Sequence, residues 1–204
     1  MWLDSLRFSE LQGYGSGCSS VTEPGKIIFV HGASSSGKST LARGLQARLP
    51  QPFWHISIDH LRDSGVLPMD RFKSHEFEWK NARQPFFDGY HRSLVAYAAA
   101  GNNLVLEHIL EKPEWADELA GLFAPFDVFF VGVHCSLPEL IRREAARGDR
   151  PVGSAEQDFH NIHKGLRYDF EVNAEADSDD NVLRIMAAWD ARRAPSAFAQ
   201  RAFS

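Results

Sequence analysis

The sequence predicts a three-layer α/β fold in which helices cover both faces of a mainly parallel, five-stranded sheet. From Lys26 onward, apolar segments of strand length alternate with longer segments of helical periodicity. The first strand, 27–31, is apolar up to its final histidine, as is typical of a strand buried on both faces of a parallel sheet. A glycine-rich loop follows this strand directly and leads into the first helix. This succession of strand, loop and helix is the repeating unit of such a fold.

In the first half of the chain, local signals define two helices and the strand between them. Leucines recur at four-residue spacing within 38–49, which predicts a helix that Pro50 ends. The short segment 53–58 is the second predicted strand. Segment 77–100 predicts a long helix that is kinked or interrupted near Pro85, because proline has no backbone N–H to donate.

Prolines and charged residues mark the elements of the second half. Pro113 stands in the first turn of a predicted helix, where a missing N–H costs little. Acidic residues at 179–180 begin the last helix and Arg192 and Arg193 end it, an arrangement that suits the helix dipole. The remaining predictions are strands at 104–106, 128–134 and 168–172, helices at 113–123, 138–147 and 178–193, and a loop at 148–153.

Composition and charge restrict the class of protein. With 44% hydrophobic and 24% charged residues, the chain has the composition of a soluble globular domain and not of a disordered segment. The formal net charge of −5 argues against a protein that binds nucleic-acid phosphates or anionic lipids. No apolar segment approaches the ~18 residues that a membrane span needs. We therefore expect neither a nucleic acid nor a membrane as a partner, and the sequence leaves the oligomeric state open.

The length of 204 residues suggests one principal domain. We predict a flexible extension at 1–25, the α/β domain at 26–194 and a C-terminal tail at 195–204. Cys18 and Cys135 are the only cysteines, so no disulfide framework is implied and a cytoplasmic location is expected.

The strongest functional signal is the loop from Gly32 to Ser39, which matches the pattern G-x-x-x-x-G-K-[ST] at every fixed position. Its glycines let backbone N–H groups turn inward as an anion nest, and the next helix adds its positive end. Lys38 is predicted to reach the β- and γ-phosphates of a nucleotide, and the Ser39 hydroxyl to bind Mg²⁺. The predicted nucleotide-binding residues are Gly32, Ala33, Ser34, Ser35, Ser36, Gly37, Lys38, Ser39, Thr40 and Arg143.

The loop indicates a nucleoside triphosphate but does not identify its base. A GTP-binding protein would carry an N-K-x-D-type motif after a later strand, and the sequence contains none. We therefore expect ATP and Mg²⁺ as the cofactors.

Two acids follow predicted strands at the edge of the sheet where the loop lies. Asp59 comes directly after the second strand, and the carboxyl ends of parallel strands meet at one edge, so its carboxylate is predicted beside the loop. There it acts as the catalytic base or orients an acceptor hydroxyl; the alternative role is an N-cap of the next short helix. Glu107 ends the third strand, where it either supports Mg²⁺ through water or is a surface acid. Its neighbour His108 is a candidate for substrate contact.

Arginines and aromatic residues supply the remaining candidates. Arg142, Arg143, Arg147 and Arg150 crowd the helix and loop after the fourth strand. They form either a solvated helix face or a lid, and we predict that Arg147 and Arg150 close over the phosphates as catalytic residues, because arginine forks suit a transferring phosphoryl group. The aromatic-rich segment 72–90 either packs between helices or walls an apolar acceptor pocket.

Together with the loop, four further motifs resemble chloramphenicol phosphotransferase and its relatives, over residues 26–189. The resemblance implies a P-loop NTPase fold of the kinase-like type and ATP-dependent phosphorylation of a hydroxyl on a small molecule, with antibiotics among the candidate acceptors. It also matches Asp59 to the family's base, Gly37, Lys38 and Ser39 to its nucleotide site, and Arg147 and Arg150 to its lid. The four motifs are Ile58-Asp59-His60-Leu61, Gly132-Val133-His134-Cys135, Arg143-Glu144-Ala145-Ala146-Arg147-Gly148-Asp149-Arg150 and Tyr168-Asp169-Phe170-Glu171-Val172-Asn173.

The chain also departs from the family pattern, and other functions stay open for this reason. Glu107-His108 stands where the family has paired acids, and segment 62–90 shows little likeness. One alternative is another P-loop kinase that acts on a metabolite, a nucleoside or a sugar. A second is a regulatory switch that binds ATP and hydrolyses it weakly. Asp59 distinguishes these classes, since a switch needs no carboxylate on the acceptor side.

Overall fold

A computed structural model describes residues 23–147 and 153–201. Its sheet has five strands in the order β2-β3-β1-β4-β5, and every pair of neighbours is parallel. The predicted fold class is confirmed. The strands are β1 Ile27–Gly32, β2 Phe53–Ser57, β3 Asn103–Glu107, β4 Val128–His134 and β5 Phe170–Asn173.

Helices cover both faces of the sheet because successive side chains of each buried strand point to opposite faces. Ile27 and Phe29 of β1 pack with α4, α5 and α9 on one face, whereas Ile28 and Val30 pack with α1 and α8 on the other. The helices are α1 Lys38–Arg48, α2 Ile58–Asp63, α3 Met69–Lys73, α4 Trp79–Ala99, α5 Pro113–Phe123, α6 Leu137–Arg147, α7 Ser154–Asn161, α8 Ser178–Asp190 and α9 Ala197–Arg201.

Two boundaries differ from the prediction for physical reasons that the structure shows. Helix α4 is continuous through Pro85, since its buried face from Phe87 to Ala98 packs against the sheet and outweighs one lost backbone hydrogen bond. Strand β2 ends at Ser57 and not at residue 58, because the Ser57 side chain accepts a hydrogen bond from the N–H of Asp59 and begins α2.

The segment beyond residue 194, predicted as a tail, contains helix α9. Phe198 is fully buried there, and its ring contacts those of Phe29, Phe123 and Phe130. The Asp169 carboxylate accepts a hydrogen bond from the N–H of Ala197 at 2.6 Å. The packed unit therefore extends at least to Arg201. No helix within 23–147 or 153–201 is long and apolar enough to cross a membrane.

A buried carboxylate connects α6 to α7. Glu144 of α6 is 5% exposed, and its two oxygens accept hydrogen bonds from the N–H groups of Gly153 and Ala155 at 2.9 and 2.8 Å. These N–H groups lie at the start of α7, where an intrahelical partner is missing. One side chain thus fixes the beginning of α7 relative to α6.

Candidate functional site

A cleft of about 730 Å³ opens at the carboxyl edge of the sheet, around the loop that follows the central strand β1. The loop and the start of α1 form its middle. Since β3 and β2 lie on one side of β1, residues 57–59, 107–109 and Glu111 form one end. Since β4 and β5 lie on the other side, residues 174–176, Ser178 and Asn181 form the opposite end. Helix α6 contributes Arg142, Arg143, Ala146 and Arg147 to the wall.

The loop has the backbone conformation that its glycines allow. A Cβ on Gly32 would stand 2.5 Å from the carbonyl oxygen of Val133, so β1 passes β4 too closely for any side chain at this position. Gly37 has φ +95° and lies at the N-cap of α1, and Ser35 also has a positive φ. Positive φ angles next to the positive end of α1 are typical of a turn that binds a phosphate. In this structure the N–H groups of Ser34 and Ser36 donate to the Asp158 carboxylate and to the carbonyl oxygen of Ala33.

Two side chains of the predicted nucleotide site are already oriented by neighbours. The ammonium of Lys38 is 2.6 Å from the carbonyl oxygen of Ala33, and the side chain is buried. The hydroxyl of Ser39 donates to Oε1 of Glu107 at 2.7 Å. Gly32 and Ala33 shape the loop without lining the cleft, whereas Ser34, Ser35, Ser36, Gly37, Lys38, Ser39 and Thr40 line it.

Glu107 is held by a partner that the sequence analysis missed. His55 of β2 lies 3.0 Å, by its Nε2, from Oε2 of Glu107, and both side chains are buried. Burial alone would raise the pKa of the Glu107 carboxyl, but the hydrogen bonds from His55 and Ser39 and the charge of Lys38 lower it below its ordinary value. The alternating pattern of β2 was the available signal, because it places a histidine within a strand of mostly apolar residues.

The oxygens of Ser39 and Glu107 form a donor set that suits Mg²⁺, which prefers hard oxygen ligands. The rest of its shell in such sites comes from water and phosphate oxygens. Accordingly, within 23–147 and 153–201 no group of three His, Cys, Asp or Glu side chains could hold a metal by itself. The residues present therefore fit a magnesium ion that arrives with a nucleotide.

Asp59 stands at the end of the cleft formed by β2 and β3. It lies in the first turn of α2, and its carboxylate is 3.1 Å from the guanidinium of Arg62. The N-cap of this helix is Ser57 and not Asp59, so the alternative role considered from the sequence was wrong. The side chain of Asp59 is 28% exposed and lines the cleft.

Arg143 contacts the protein on three sides. Its guanidinium donates to the carbonyl oxygens of Ser36 and Ala174 at 3.3 and 2.9 Å, and its Nε pairs with Glu139 at 2.7 Å. It thus ties the phosphate-binding loop to the segment after β5. Arg147 is exposed and lines the cleft.

Other predicted residues lie apart from the site or outside the described part of the chain. Arg150 and most of the predicted loop 148–153 fall outside the described residues. Arg142 lines the cleft and forms a bidentate pair with Glu139, and this pairing lowers the pKa of Glu139 to about 2. Of the aromatic residues in 72–90, Phe87 is the one that lines the cleft. The others contact one another or the core.

Sequence reasoning also missed two contributions from separate elements. Asp158 of α7 accepts a hydrogen bond from the N–H of Ser34 at 2.7 Å, so the loop is contacted by a second acid. The end of the cleft formed by Ala174, Glu175, Ala176, Ser178 and Asn181 comes from the turn between β5 and α8. The sequence analysis predicted a strand at 168–172 and a helix from residue 178, but nothing in the residues between them indicated a ligand.

The parallel sheet, the loop after its central strand and the acids at the neighbouring strand ends define a P-loop protein of the kinase-like type. Solved structures of small-molecule kinases share this architecture. An APS kinase from Mycobacterium tuberculosis, in complex with AMPPNP and APS, aligns with a TM-score of 0.63 and 18% identity over 82% of this chain and 98% of its own. A gluconokinase from Sinorhizobium meliloti aligns with a TM-score of 0.60 and 20% identity over 83% of this chain and 93% of its own.

The chain belongs to the family of chloramphenicol phosphotransferase-like proteins, whose model matches residues 25–190. Among curated proteins, it is 28% identical over 194 aligned residues to a protein of Mycobacterium tuberculosis that is named, provisionally, an O-phosphotransferase. That alignment covers 85% of this chain and 86% of the relative. The family resemblance seen in the sequence is confirmed, and the chain is a phosphotransferase.

Proposed function

We propose that this enzyme transfers the γ-phosphoryl group of ATP, with Mg²⁺, to a hydroxyl group of a small molecule. The observation that carries the proposal is that the phosphate-binding loop and the carboxylate of Asp59 line one cleft from separate elements. A phosphoryl transfer needs the two reactants side by side and in line, and a shared cleft provides this arrangement.

The different residues at the two ends of the cleft set the orientation of the bound nucleotide. Ser39 and Glu107, the candidate magnesium ligands, lie on the β3 side of the loop, so the β- and γ-phosphates belong on that side. The adenine base of the nucleotide then extends away from β3, toward the turn between β5 and α8, where Arg143 already contacts Ala174. The acceptor occupies the end that holds Asp59 and Phe87.

Each side chain then has a definite task. Lys38 exchanges its contact with Ala33 for phosphate oxygens and offsets their charge, and Arg147 adds charge from α6. Mg²⁺, held by Ser39 and Glu107, supplies further neutralisation of the phosphates. Asp59 accepts the proton of the acceptor hydroxyl or fixes its direction toward the γ-phosphate.

A transfer assay tests this proposal. The purified full chain is incubated with γ-labelled ATP, Mg²⁺ and a panel of hydroxylated antibiotics, chloramphenicol included, together with sugars, nucleosides and other metabolites. We expect label on at least one acceptor, and no label when Lys38→Ala replaces the wild type. Lys80→Ala is the matched control, because Lys80 is an exposed lysine of α4 outside the cleft. Binding of ATP with release of label to water alone would contradict the proposal and indicate a switch.

A further inference from the structure

A second cleft, of about 690 Å³, adjoins the acceptor end of the first. The two clefts share Ser34 of the phosphate-binding loop and Ile109 and Glu111 of the segment after β3. The other walls of the second cleft come from α4, the start of α5, α7 with the turn after it, and α9. Because the two clefts adjoin, a molecule whose hydroxyl lies beside Asp59 has room to extend into the second one.

The charge of the second cleft is opposite in sign to that of the whole chain. Four basic and two acidic side chains line it, whereas the chain carries a formal net charge of −5. Excess positive charge in a concave surface attracts anions and raises their local concentration. The basic residues are Arg83, Lys112, Lys164 and Arg201, and the acidic ones are Glu111 and Asp158.

Both arginines of the second cleft already have carboxylate partners. Arg83 donates to Glu111 at 2.5 Å, and Arg201 donates to Asp117 at 2.6 Å. The guanidinium of Arg83 also lies 4.9 Å from the ring centroid of Phe87, which lines the first cleft. The pair of Arg83 and Glu111 therefore stands at the boundary between the two clefts, and its charges offset each other.

The two lysines have neutral hydrogen-bond partners instead. Nζ of Lys112 donates to the amide oxygen of Gln84 at 2.9 Å, and Nζ of Lys164 donates to that of Asn161 at 3.1 Å. An ammonium group has three N–H donors, so each of these contacts orients the group and uses one donor. An amide oxygen carries no charge, so the positive charge of both lysines is available to an anion.

The same cleft has an apolar floor. Leu110, Ala116 and Ile162 line it, and all three are buried. Cations beside an apolar floor suit an organic anion, because its carbon body covers the apolar surface while its charged group meets the ammonium groups. Pockets for small molecules combine these two features.

We infer that the phosphate acceptor carries an anionic group, a carboxylate or a phosphate ester, which Lys112 and Lys164 bind in the second cleft while its hydroxyl lies beside Asp59. This inference rests on the proposed function and gives it a substrate class. The two lysines determine specificity, since they contact a group of the acceptor that does not react. Their contact with this remote group holds the hydroxyl in place for transfer.

Matched acceptors test the inference in the transfer assay. Each hydroxy acid is paired with its amide and each phosphate monoester with its alcohol, for example glucuronate with glucuronamide and glycerol 3-phosphate with glycerol. Within the pair that is phosphorylated, we expect kcat/KM to be about tenfold higher for the anion, the equivalent of one charge-assisted hydrogen bond. The first kind of pair identifies a carboxylate and the second a phosphate. Equal values within that pair, or a preference for a neutral acceptor such as chloramphenicol, would overturn the inference while the proposed function stands.

Variants locate the contact. We expect Lys112→Gln and Lys164→Gln each to raise the KM for the anionic acceptor about tenfold, with the KM for ATP within twofold. The neutral member of the pair should respond to neither variant, because it has no ionic contact to lose. Lys80→Gln is the matched control and should change nothing, since Lys80 is an exposed lysine outside both clefts. An unchanged KM for the anion in both variants, or equal losses for the two members of the pair, would overturn the inference.

Anion binding is also testable without transfer. An unreactive ATP analogue with Mg²⁺ fills the phosphate-binding loop, and sodium sulfate is titrated into the full chain, with sodium chloride at equal ionic strength as the control. We expect sulfate to shift the backbone NMR signals of 109–116 and 161–166 in the wild type, but not when Lys112→Gln and Lys164→Gln are combined. Equal shifts with both salts would overturn the inference. If no hydroxyl receives label, the proposed function fails, and this titration still decides whether the second cleft binds anions.

Discussion

The phosphate-binding centre and the acceptor end of the cleft are built in different ways. The centre is one continuous stretch that runs from Gly32 at the end of β1, through the loop, to Thr40 in the first turn of α1. The acceptor end is assembled from α2, α4 and the segment after β3, which supply Asp59, Phe87 and His108. Neighbouring residues of one turn are fixed by its backbone, whereas the acceptor end depends on how three elements pack.

The difference extends to how firmly the side chains are held. The Ser39 hydroxyl is oriented by Glu107 before any nucleotide arrives, and the Lys38 side chain is held within the loop by Ala33 until it exchanges this contact for phosphate oxygens. Asp59 lies on a six-residue helix and pairs with a partly exposed arginine. The phosphate-binding centre is therefore suited to a single ligand, the triphosphate, whereas the acceptor end can be adapted to different acceptor molecules. The four predictions below test this division.

The largest effect is expected at the centre. Lys38→Ala removes the charge that offsets the phosphates, and loss of such a contact commonly costs on the order of a hundredfold or more in rate. Single-turnover transfer with labelled ATP measures the loss, and circular dichroism checks that the fold is intact. Near-normal turnover in this variant would show that the loop does not perform the chemistry.

Asp59→Asn tests the acceptor end with a side chain of the same shape. We expect transfer to fall ~10²-fold, because the amide cannot accept the proton of the hydroxyl. ATP affinity should stay within a few-fold, since Lys38, Ser39 and the loop already hold the phosphates without Asp59. Calorimetric titration with an unreactive ATP analogue measures this affinity. Loss of ATP binding would place Asp59 in the magnesium shell, and an unchanged rate would make Glu107 the candidate base.

Glu107→Gln tests the boundary between the two regions. The pKa of this carboxyl lies below its ordinary value, so it is charged throughout the neutral range and no loss of activity near pH 7 comes from its titration. Removing the charge weakens one charge-assisted contact to the metal. The Mg²⁺ concentration that gives the half-maximal rate should therefore rise about tenfold. A magnesium titration at saturating ATP measures this. An unchanged magnesium requirement would assign Glu107 to structure alone.

The smallest effect is expected at the cap of α2. Ser57→Ala removes the side chain that accepts the N–H of Asp59, which typically costs ~1 kcal/mol of the free energy of unfolding. Because α2 carries Asp59, the KM for the acceptor should rise severalfold while that for ATP does not change. Urea unfolding and steady-state kinetics measure the two quantities. An equal rise in both KM values would contradict the independence of the two regions.

The same contrast explains what the sequence could predict. The phosphate-binding loop was predictable residue by residue because its chemistry lies in consecutive positions. Asp59 and Glu107 were predictable as strand-end acids, since the carboxyl ends of parallel strands share one edge. His55 was not, because its contact with Glu107 depends on the pairing of two strands that are distant in the sequence.

The errors of secondary structure have a similar origin. Helix α9 was missed because its five residues have no helical periodicity of their own and are held by burial of Phe198. Of the kink or interruption predicted near Pro85, the interruption was wrong, because tertiary packing along α4 outweighs the local preference of one proline. Ser57 was a readable signal, since serine before the start of a helix is a common cap.

The clamp that Glu144 forms on Gly153 and Ala155 has a consequence for the phosphate-binding loop. Glu144 is not among the residues that line the cleft, yet its carboxylate holds the start of α7. Asp158 of the same helix in turn accepts a hydrogen bond from the N–H of Ser34. A side chain buried outside the active site therefore supports the loop that binds phosphate, through one intervening helix.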